Sequence, residues 1–258
     1  MTTQKPLVLI TNDDGIEAPG LLALTDCIRA ISDEIEICVV APKVQHSGQS
    51  SAITVGAPLF IEDRGDYNGA AMLTVSGTPV DCVKLALDAI VPRTPDMVVS
   101  GVNHGSNSGN AITYSGTMGA VLEACTVGIP AVGFSLTHHS IRADFSLSAP
   151  MVTDIAARVL HNGLPDYTAL NINIPARITP LGVKVCRAAR GHWSEEYAQY
   201  IAPSGRPFYW LTGHFVNEEA DAMDTDEYWL SQGYISAVPV TPEQTAFYAL
   251  DKVKELLN

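Results

Sequence analysis

The sequence predicts an α/β fold: a mainly parallel sheet with helices on both faces, plus an extended C-terminal arm. Three observations carry that expectation. Short β-branched runs alternate with amphipathic segments over roughly the first 175 residues. Apolar residues make up 47% of the 258 and charged residues only 17%, the balance of a packed globule and not of a disordered chain. From Arg190 to Tyr234 the grammar changes, and this stretch holds all three tryptophans and more than half of the aromatic residues.

Leu7 to Ile10 reads as a buried strand, followed by Leu21, Leu24, Ile28 and Ile31 at the spacing of one helix face. Ile35 to Val40 is the next strand, ending at Ala41-Pro42. Residues 51–75 break the rhythm, with three short strands (Ala52–Val55, Leu59–Ile61, Met72–Val75) expected as a small antiparallel insertion. Thr78-Pro79 supplies a cap and a first-turn proline for a helix carrying Val80, Val83, Leu87 and Ile90. Met97–Val99 is a third buried strand. Met118, Val121, Leu122 and Cys125 mark a helix closed by Gly128. Ile129–Phe134 is another strand, and Val152, Ile155, Val159 and Leu160 another helix. Such alternation implies right-handed βαβ units. The chain divides into a core over 1–189, an aromatic arm over 190–234 that packs on another subunit or caps the active site, and a final strand and helix over 235–258.

Composition removes several classes of function. A formal charge of −13 repels a nucleic-acid backbone, and no Lys/Arg stripe offsets it, so no duplex partner is expected. No apolar run approaches the ~18–20 residues of a membrane span, and no secretory signal is read at the N-terminus. The chain is therefore expected in the cytoplasm. Cys27, Cys38, Cys82, Cys125 and Cys186 are odd in number and never CxxC, the usage of buried reduced thiols and not of a disulfide framework or zinc site.

Open parallel sheets place ligands at the carboxyl ends of their strands, and three loops there are chemically unusual. The first is Thr11-Asn12-Asp13-Asp14-Gly15. Two adjacent carboxylates in a tight turn repel one another, and a divalent cation relieves that cost; an ordinary Asx-turn is the competing reading. The second, Lys43 to Ser51, offers hydroxyls and backbone groups for the oxygen shell of a hard ion. The third, Ser100 to Asn110, packs three asparagines and three glycines ahead of Tyr114-Ser115-Gly116-Thr117. A Ser-Gly-Thr at a helix start presents hydroxyls, free N–H groups and the positive dipole end, which suit a phosphate; for Thr117 alone a plain N-cap is the simpler reading. All three loops converge on one edge of one sheet. Oxygen ligands without Cys or His favour Mg²⁺, Mn²⁺ or Ca²⁺ over zinc, and a hard cation beside a phosphate cradle points to phosphoryl chemistry. Either carboxylate could instead attack phosphorus directly. His46 and His104 are candidates by position for the general acid.

The runs LITNDDGIEAPG, VVAPKVQHSGQSSAITV, VSGTPVDCVKLAL and SGVNHGSNSGNAITYSGTMGAVLEACTVGIPAVGFS resemble the SurE family of 5'-nucleotidases, as do the later NINIP and TDEYWLSQGYISAVPVTPEQT. The similarity covers nearly the whole chain and is weakest through the aromatic region. It implies a metal-dependent phosphatase of nucleoside 5'-monophosphates, extending to 3'-nucleotides and short polyphosphate. A non-catalytic nucleotide-binding stress or regulatory protein is the alternative. By the same resemblance Asp13, Asp14, Ser47 and Asn103 would ligate one divalent ion per subunit, with Asp13 and Asp14 catalytic. Asn12, Asn103, Asn107, Ser115, Gly116 and Thr117 would bind substrate and phosphate. The family also implies a Rossmann-like core and a homodimer or homotetramer built through an exchanged C-terminal hairpin. His46 is a departure, standing where many relatives carry Arg or Gln.

Overall fold

A computed structural model describes residues 4–140 and 142–258. Strand β1 (Leu7–Thr11) is buried throughout and sits near the middle of a nine-stranded sheet. It is flanked in parallel by β2 (Glu36–Pro42) and β5 (Met97–His104). On the β2 side follow β4 (Ala70–Val75) and the edge strand β3 (Ile61–Tyr67). Beyond β5 lie β6 (Ala131–Leu136), β7 (Ala169–Ile174), β13 (Ile235–Val240) and β8 (Val183–Val185). All neighbours pair in parallel except β3 with β4 and β13 with β7. The chain runs outward from β1 to β2 and later returns to β1's other side with β5. The crevice between the ends of β1 and β5 is thus the topological switch point, where open α/β sheets bind their ligands.

Alternation along β1 feeds two cores. Val8 and Ile10 face one layer with Leu21, Leu24 and Ile28 of α1 (Pro19–Arg29) and Val152, Ile155 and Val159 of α4 (Ala149–Asn162). Leu9 faces the other layer with Cys82 and Val83 of α2 (Pro79–Leu85) and Met118, Val121 and Cys125 of α3 (Gly116–Thr126). Fully burying a Leu or Ile side chain contributes roughly 1.5–3 kcal/mol, so these two stripes are what hold the helices to the sheet. Gly20 sets how close α1 comes: a Cβ there would stand 2.0 Å from the Val102 carbonyl oxygen on β5. All five cysteines are free, and Cys27, Cys82 and Cys125 are buried.

Helix α2 starts as expected. The Thr78 hydroxyl accepts from the Asp81 N–H, and the Asp81 carboxylate accepts from the Thr78 N–H, a reciprocal capping box. Asp81 also accepts from the backbone N–H and hydroxyl of Thr54, tying the preceding loop to the helix. Burial opposes the charged form of Asp81, but the bonds from Thr54 and Thr78 outweigh it and hold the carboxyl below its ordinary range. Asp81→Ala is expected to cost about 2 kcal/mol in urea unfolding, the sum of a lost cap and a lost tether. A cost below about 0.5 kcal/mol would show the box to be ornamental.

The 51–75 expectation needs correction. Ala52–Val55 is irregular, Leu59 and Phe60 precede the strand instead of forming one, and β3 runs through the charged stretch Ile61–Tyr67. It turns into β4 at Asn68-Gly69, with φ of 51° and 75°, the left-handed pair of a tight two-residue hairpin. Helix α1 ends at Arg29, leaving Ile31 beyond it.

From Gly191 the chain leaves the sheet. β9 (Gly191–Ser194) pairs with β12 (His214–Asn217), and between them β10 (Tyr197–Ile201) and β11 (Pro207–Leu211) form an antiparallel hairpin. Helix α5 (Asp226–Ser231) brings the chain back to β13. A short turn, Phe247–Ala249, leads to α6 (Leu250–Leu257), which has no buried residue. No helix among the described residues is long and apolar enough to cross a membrane.

Candidate active site

The Asn12-Asp13-Asp14-Gly15 turn leaves the end of β1 directly into the switch-point crevice. Asn12 closes that turn on itself: its amide donates to the Gly15 carbonyl at 2.9 Å and its oxygen accepts from the Gly15 N–H at 3.2 Å. Asn12 therefore shapes the turn, and its amide is not directed to substrate in this state.

Asp13 is buried, 3% exposed, and no lysine or arginine pairs with it among the described residues. Its Oδ1 accepts from the Thr117 hydroxyl at 2.6 Å. Burial pushes the carboxyl up to about 6; the Thr117 hydroxyl opposes that, and the charge of Asp14 adds to it. The start of α3 lies hard against Asp13, because a Cβ on Gly116 would come within 2.8 Å of the Asp13 Cβ. Only glycine permits this approach.

Asp14 is gripped from two sides. Its Oδ2 accepts from the His104 backbone N–H at 3.2 Å and faces His104 Nδ1 at 2.9 Å. Its Oδ1 accepts from the Gln45 amide at 3.3 Å, and the same amide donates to the Ser47 hydroxyl at 2.9 Å. One N–H₂ group thus draws a carboxylate oxygen and a hydroxyl oxygen to a common centre. The second loop is also pinned from below by the His46 N–H donating to the Asp13 carbonyl at 2.7 Å. The His46 ring is half-buried and meets Gln49 Oε1 through Nδ1 at 3.0 Å.

Asn103, at the end of β5, donates through its amide to the Gly105 carbonyl at 2.9 Å and is 9% exposed. Asn107 is built into a polar network running through the sheet. Its amide donates to the Ser135 hydroxyl at 2.8 Å, its N–H to Asn173 Oδ1 at 2.7 Å, and its carbonyl accepts from the Asn171 amide at 2.8 Å. The Ser115 hydroxyl is taken by the Met118 N–H as an N-cap, and Thr117 is spent on Asp13. The Ser115 O–H and the Gly116 amide are left as donors at this helix start, while the Thr117 O–H is engaged.

The structure brings Asp13 and Thr117 together, and Asp14 together with His104 and, through Gln45, Ser47, while Asn103 directly precedes His104 on β5. A cavity of about 320 Å³ opens beside them, lined in part by Asp14, Gly15, Lys43, Gln45 and His104 but not by Asp13, Ser47, Asn103 or Thr117. Sequence reasoning passed over Gln45 as a bridge and over Asn171 and Asn173 as the support of Asn107. The signal for the asparagines was present: two amides at alternate positions of an otherwise apolar strand, hence on one buried face. It also missed Asp226, whose buried carboxylate accepts from the backbone N–H groups of Gly109 and Ala189, both at 2.8 Å, and so joins the third loop to the base of the arm.

The residues fit a hard divalent cation. Among the described residues no lysine or arginine pairs with either of the two neighbouring carboxylates, Asp14 having only His104 beside it; Asp13 carries a raised pKa, and a neutral donor already pulls Asp14 and Ser47 together. The set is all oxygen, and no cluster of three or more His, Cys, Asp or Glu exists among the described residues to suit a softer metal.

The raised Asp13 pKa gives a pH prediction for the metal-free protein. The folded state holds this proton more tightly than the unfolded chain does. The stabilisation is complete below the ordinary 3.8 and is lost as pH rises through about 6. A shift of that size corresponds to roughly 3 kcal/mol. The difference in stability between Asp13→Asn and wild type in EDTA should therefore grow in favour of the variant from pH 4 to pH 7. A flat difference across that window in denaturant titrations would contradict it.

The family profile described as Survival protein SurE matches residues 8–195. A protein of Christiangramia forsetii named 5'-nucleotidase SurE is 47% identical over 255 residues, covering 96% of this chain and 95% of that one. One of the same name from Bacteroides fragilis is 42% identical, with 98% of each chain covered. Among solved structures, the SurE protein from Aquifex aeolicus is superimposable with a TM-score of 0.82 at 34% identity, covering 98% of this chain and 100% of that one. Fold, sequence and the ordered loops at the switch point agree, and the chain belongs to the SurE family.

Proposed function

We propose that the chain is a divalent-metal-dependent 5'-nucleotidase that hydrolyses nucleoside 5'-monophosphates to nucleoside and phosphate. The observation that supports this reading is a couple of adjacent carboxylates with no lysine or arginine partner among the described residues, Asp13 lying against the N-terminus of α3 and Asp14 held by His104. It is supported by relatives of 42–47% identity that bear the name 5'-nucleotidase SurE.

Asp13, Asp14, Ser47 and Asn103 are the groups that would hold the cation. Bound there, it supplies Lewis-acid polarisation of the phosphoryl group and a lowered pKa for an attacking water. His104 keeps Asp14 in place through two contacts, and Thr117 keeps Asp13 in place through its hydroxyl. The Gly116 amide and the positive end of α3 receive phosphate oxygens as charge moves toward the leaving ribose oxygen. Asn107 is locked by its bonds to the Ser135 hydroxyl and the Asn173 carbonyl oxygen, so it reaches a substrate with little reorganisation. We also assign 3'-nucleotides and short polyphosphate to the same centre. The whole assembly is a cytoplasmic homodimer or homotetramer joined through the β10–β11 hairpin, where Tyr197, Tyr209, Trp210 and Leu211 are each more than 60% exposed.

Phosphate release from a panel of 5'- and 3'-nucleoside monophosphates with Mg²⁺, Mn²⁺ or EDTA tests the reading. Metal-dependent turnover abolished by EDTA is the expected result. Nucleotide binding without turnover under every metal would replace it with the non-catalytic binder.

A further inference from the structure

A second cavity, of about 390 Å³, opens at the ends of β6 and β7, lined by Leu136, His138, Ser140, Arg142, Asp144 and Arg177, among others. Its chemistry contrasts with that of the molecule around it. The chain carries a formal charge of −13, yet two arginines share this hollow and neither pairs with a carboxylate among the described residues. Asp144, the one acidic residue in the lining, accepts from the Ser146 N–H at 2.9 Å instead.

Hydrogen bonding in the cavity is short of acceptors. His138 Nδ1 faces the Ser140 N–H at 3.0 Å, and His138 Nε2 faces Arg177 Nη2 at 2.6 Å. A neutral imidazole has one lone pair, so only one of those two donors can be satisfied. The Ser140 oxygen already accepts from the Arg142 N–H, which leaves its O–H to donate. Two guanidinium groups, exposed at the rim, and a hydroxyl proton therefore line a hollow whose one carboxylate is engaged, and one of the two N–H donors beside His138 is left without an imidazole lone pair. An oxyanion with several acceptor oxygens satisfies such a set, and arginine forks match phosphate in particular.

The cavity stands next to the Asp13–Asp14 centre. Leu136 in its wall accepts from the Gly105 N–H at 3.0 Å and is the sheet partner of His104, which lines the other cavity. The His139 ring rests on Gly105, and the Phe145 ring meets His104 edge-on at 5.4 Å. The His104–Gly105 backbone is a partition with a hollow on either side.

We propose that this second cavity is an anion subsite for a phosphate group, held by Arg142, Arg177, Ser140 and His138 and separate from the metal-type centre. The phosphate comes either from a second phosphoryl group on a substrate seated at Asp13–Asp14, which rests on the nucleotidase reading, or from free inorganic phosphate, which does not.

Equilibrium dialysis of the full chain against labelled inorganic phosphate in EDTA tests the pocket alone, because without a cation the two carboxylates of the other centre repel phosphate. Wild type is expected to bind one phosphate per chain. Arg142→Gln/Arg177→Gln is expected to weaken it about tenfold for each arginine removed, and Asp144→Asn to tighten it severalfold. No binding to wild type, or binding that the double substitution leaves unchanged, overturns the proposal. With cation present, kcat/KM for a nucleoside 3',5'-bisphosphate relative to the 5'-monophosphate identifies the source. A wild-type preference that the double substitution erases assigns the pocket to the substrate's second phosphoryl group. An unaltered ratio with phosphate binding lost in dialysis assigns it to free phosphate. If neither compound turns over, the nucleotidase reading fails while the dialysis result stands.

Discussion

Replacing Asp13 with asparagine should cost this protein at least about a thousandfold in kcat/KM while making its metal-free form harder to unfold, the magnitude being that of a lost group acting on transition-state charge. Both halves have one cause. Asp13 is 3% exposed and its carboxylate has no lysine or arginine partner among the described residues, so its charge is a cost to the fold that the proposed cation would offset. Asparagine keeps an oxygen for the Thr117 hydroxyl, which sits 2.6 Å from the present one, and fills nearly the same volume. The substitution thus removes charge and little else. Parallel assays of phosphate release with Mg²⁺ or Mn²⁺ and of thermal unfolding in EDTA check the pair. Retained turnover would move the chemistry away from Asp13; a less stable metal-free variant would mean that the buried charge is better compensated than its neighbours suggest.

The second large effect falls on a residue that touches no substrate. Gly20→Ala places a Cβ 2.0 Å from the Val102 carbonyl oxygen, 3.0 Å from the Val102 carbonyl carbon and 3.3 Å from the Phe145 ring. Val102 lies on β5, held between β1 and β6, and Gly20 lies in the first turn of α1, which is packed on α4. Val102 falls where the β5 register shifts, but its side chain is buried in the same core as α1, so neither partner can retreat without disturbing that packing, and the expected loss is about 3 kcal/mol, at the upper end for an overpacked site. That corresponds to a fall in melting temperature of roughly 6–12 °C for a chain of this size. Because β5 ends in Asn103 and His104, the same displacement should lower kcat along with stability. A variant that melts within a degree or two of wild type would show that α1 can slide.

Most of the sheet was legible because its strands are apolar runs and its helices repeat every three to four residues. Val8, Leu9 and Ile10 announce a strand buried on both faces, and Leu21, Leu24 and Ile28 a helix facing it. Strand β3 was misplaced because Ile61–Tyr67 is an edge strand, six of whose seven residues are exposed. Charges on an edge discourage pairing with another chain, and they also hide the strand from hydropathy. Its Asn68-Gly69 turn was the available clue. The apolar run Ala52–Val55 misled for the opposite reason: it has strand composition, but it is fastened to α2 by Thr54 and Asp81 instead of by a ladder.

At the site, the position of the loops Asn12–Gly15 and Asn103–Asn107 at the ends of β1 and β5 was legible, because the apolar strands before them are. The division of labour within them was not. Ser115 and Thr117 were expected together as phosphate-facing hydroxyls, yet Ser115 caps α3 with its oxygen and Thr117 gives its proton to Asp13. Which acceptor a hydroxyl finds depends on a partner 104 positions away in the case of Thr117, and no local pattern encodes that. The same holds for the exposed apolar face of α6, where Leu250, Val253 and Leu257 show the spacing of a buried helix without burial.

The position of β13 bears on how this molecule is made. It lies between β7 and β8, and β8 has no other partner in the sheet. On a ribosome, β7 and β8 emerge well before Ile235, so the hydrogen-bonding edge of β7 stays open while some sixty further residues, β8 and the aromatic hairpin among them, are synthesised. Asp226, which ties Gly109 to Ala189, also arrives late. The nascent chain therefore passes through a stage with a nearly complete sheet, one unguarded edge and a Gly109 loop not yet tied down. Ribosome-bound chains stopped after Tyr234 should bind chaperones or aggregate, whereas chains extended past Val240 should resist proteolysis.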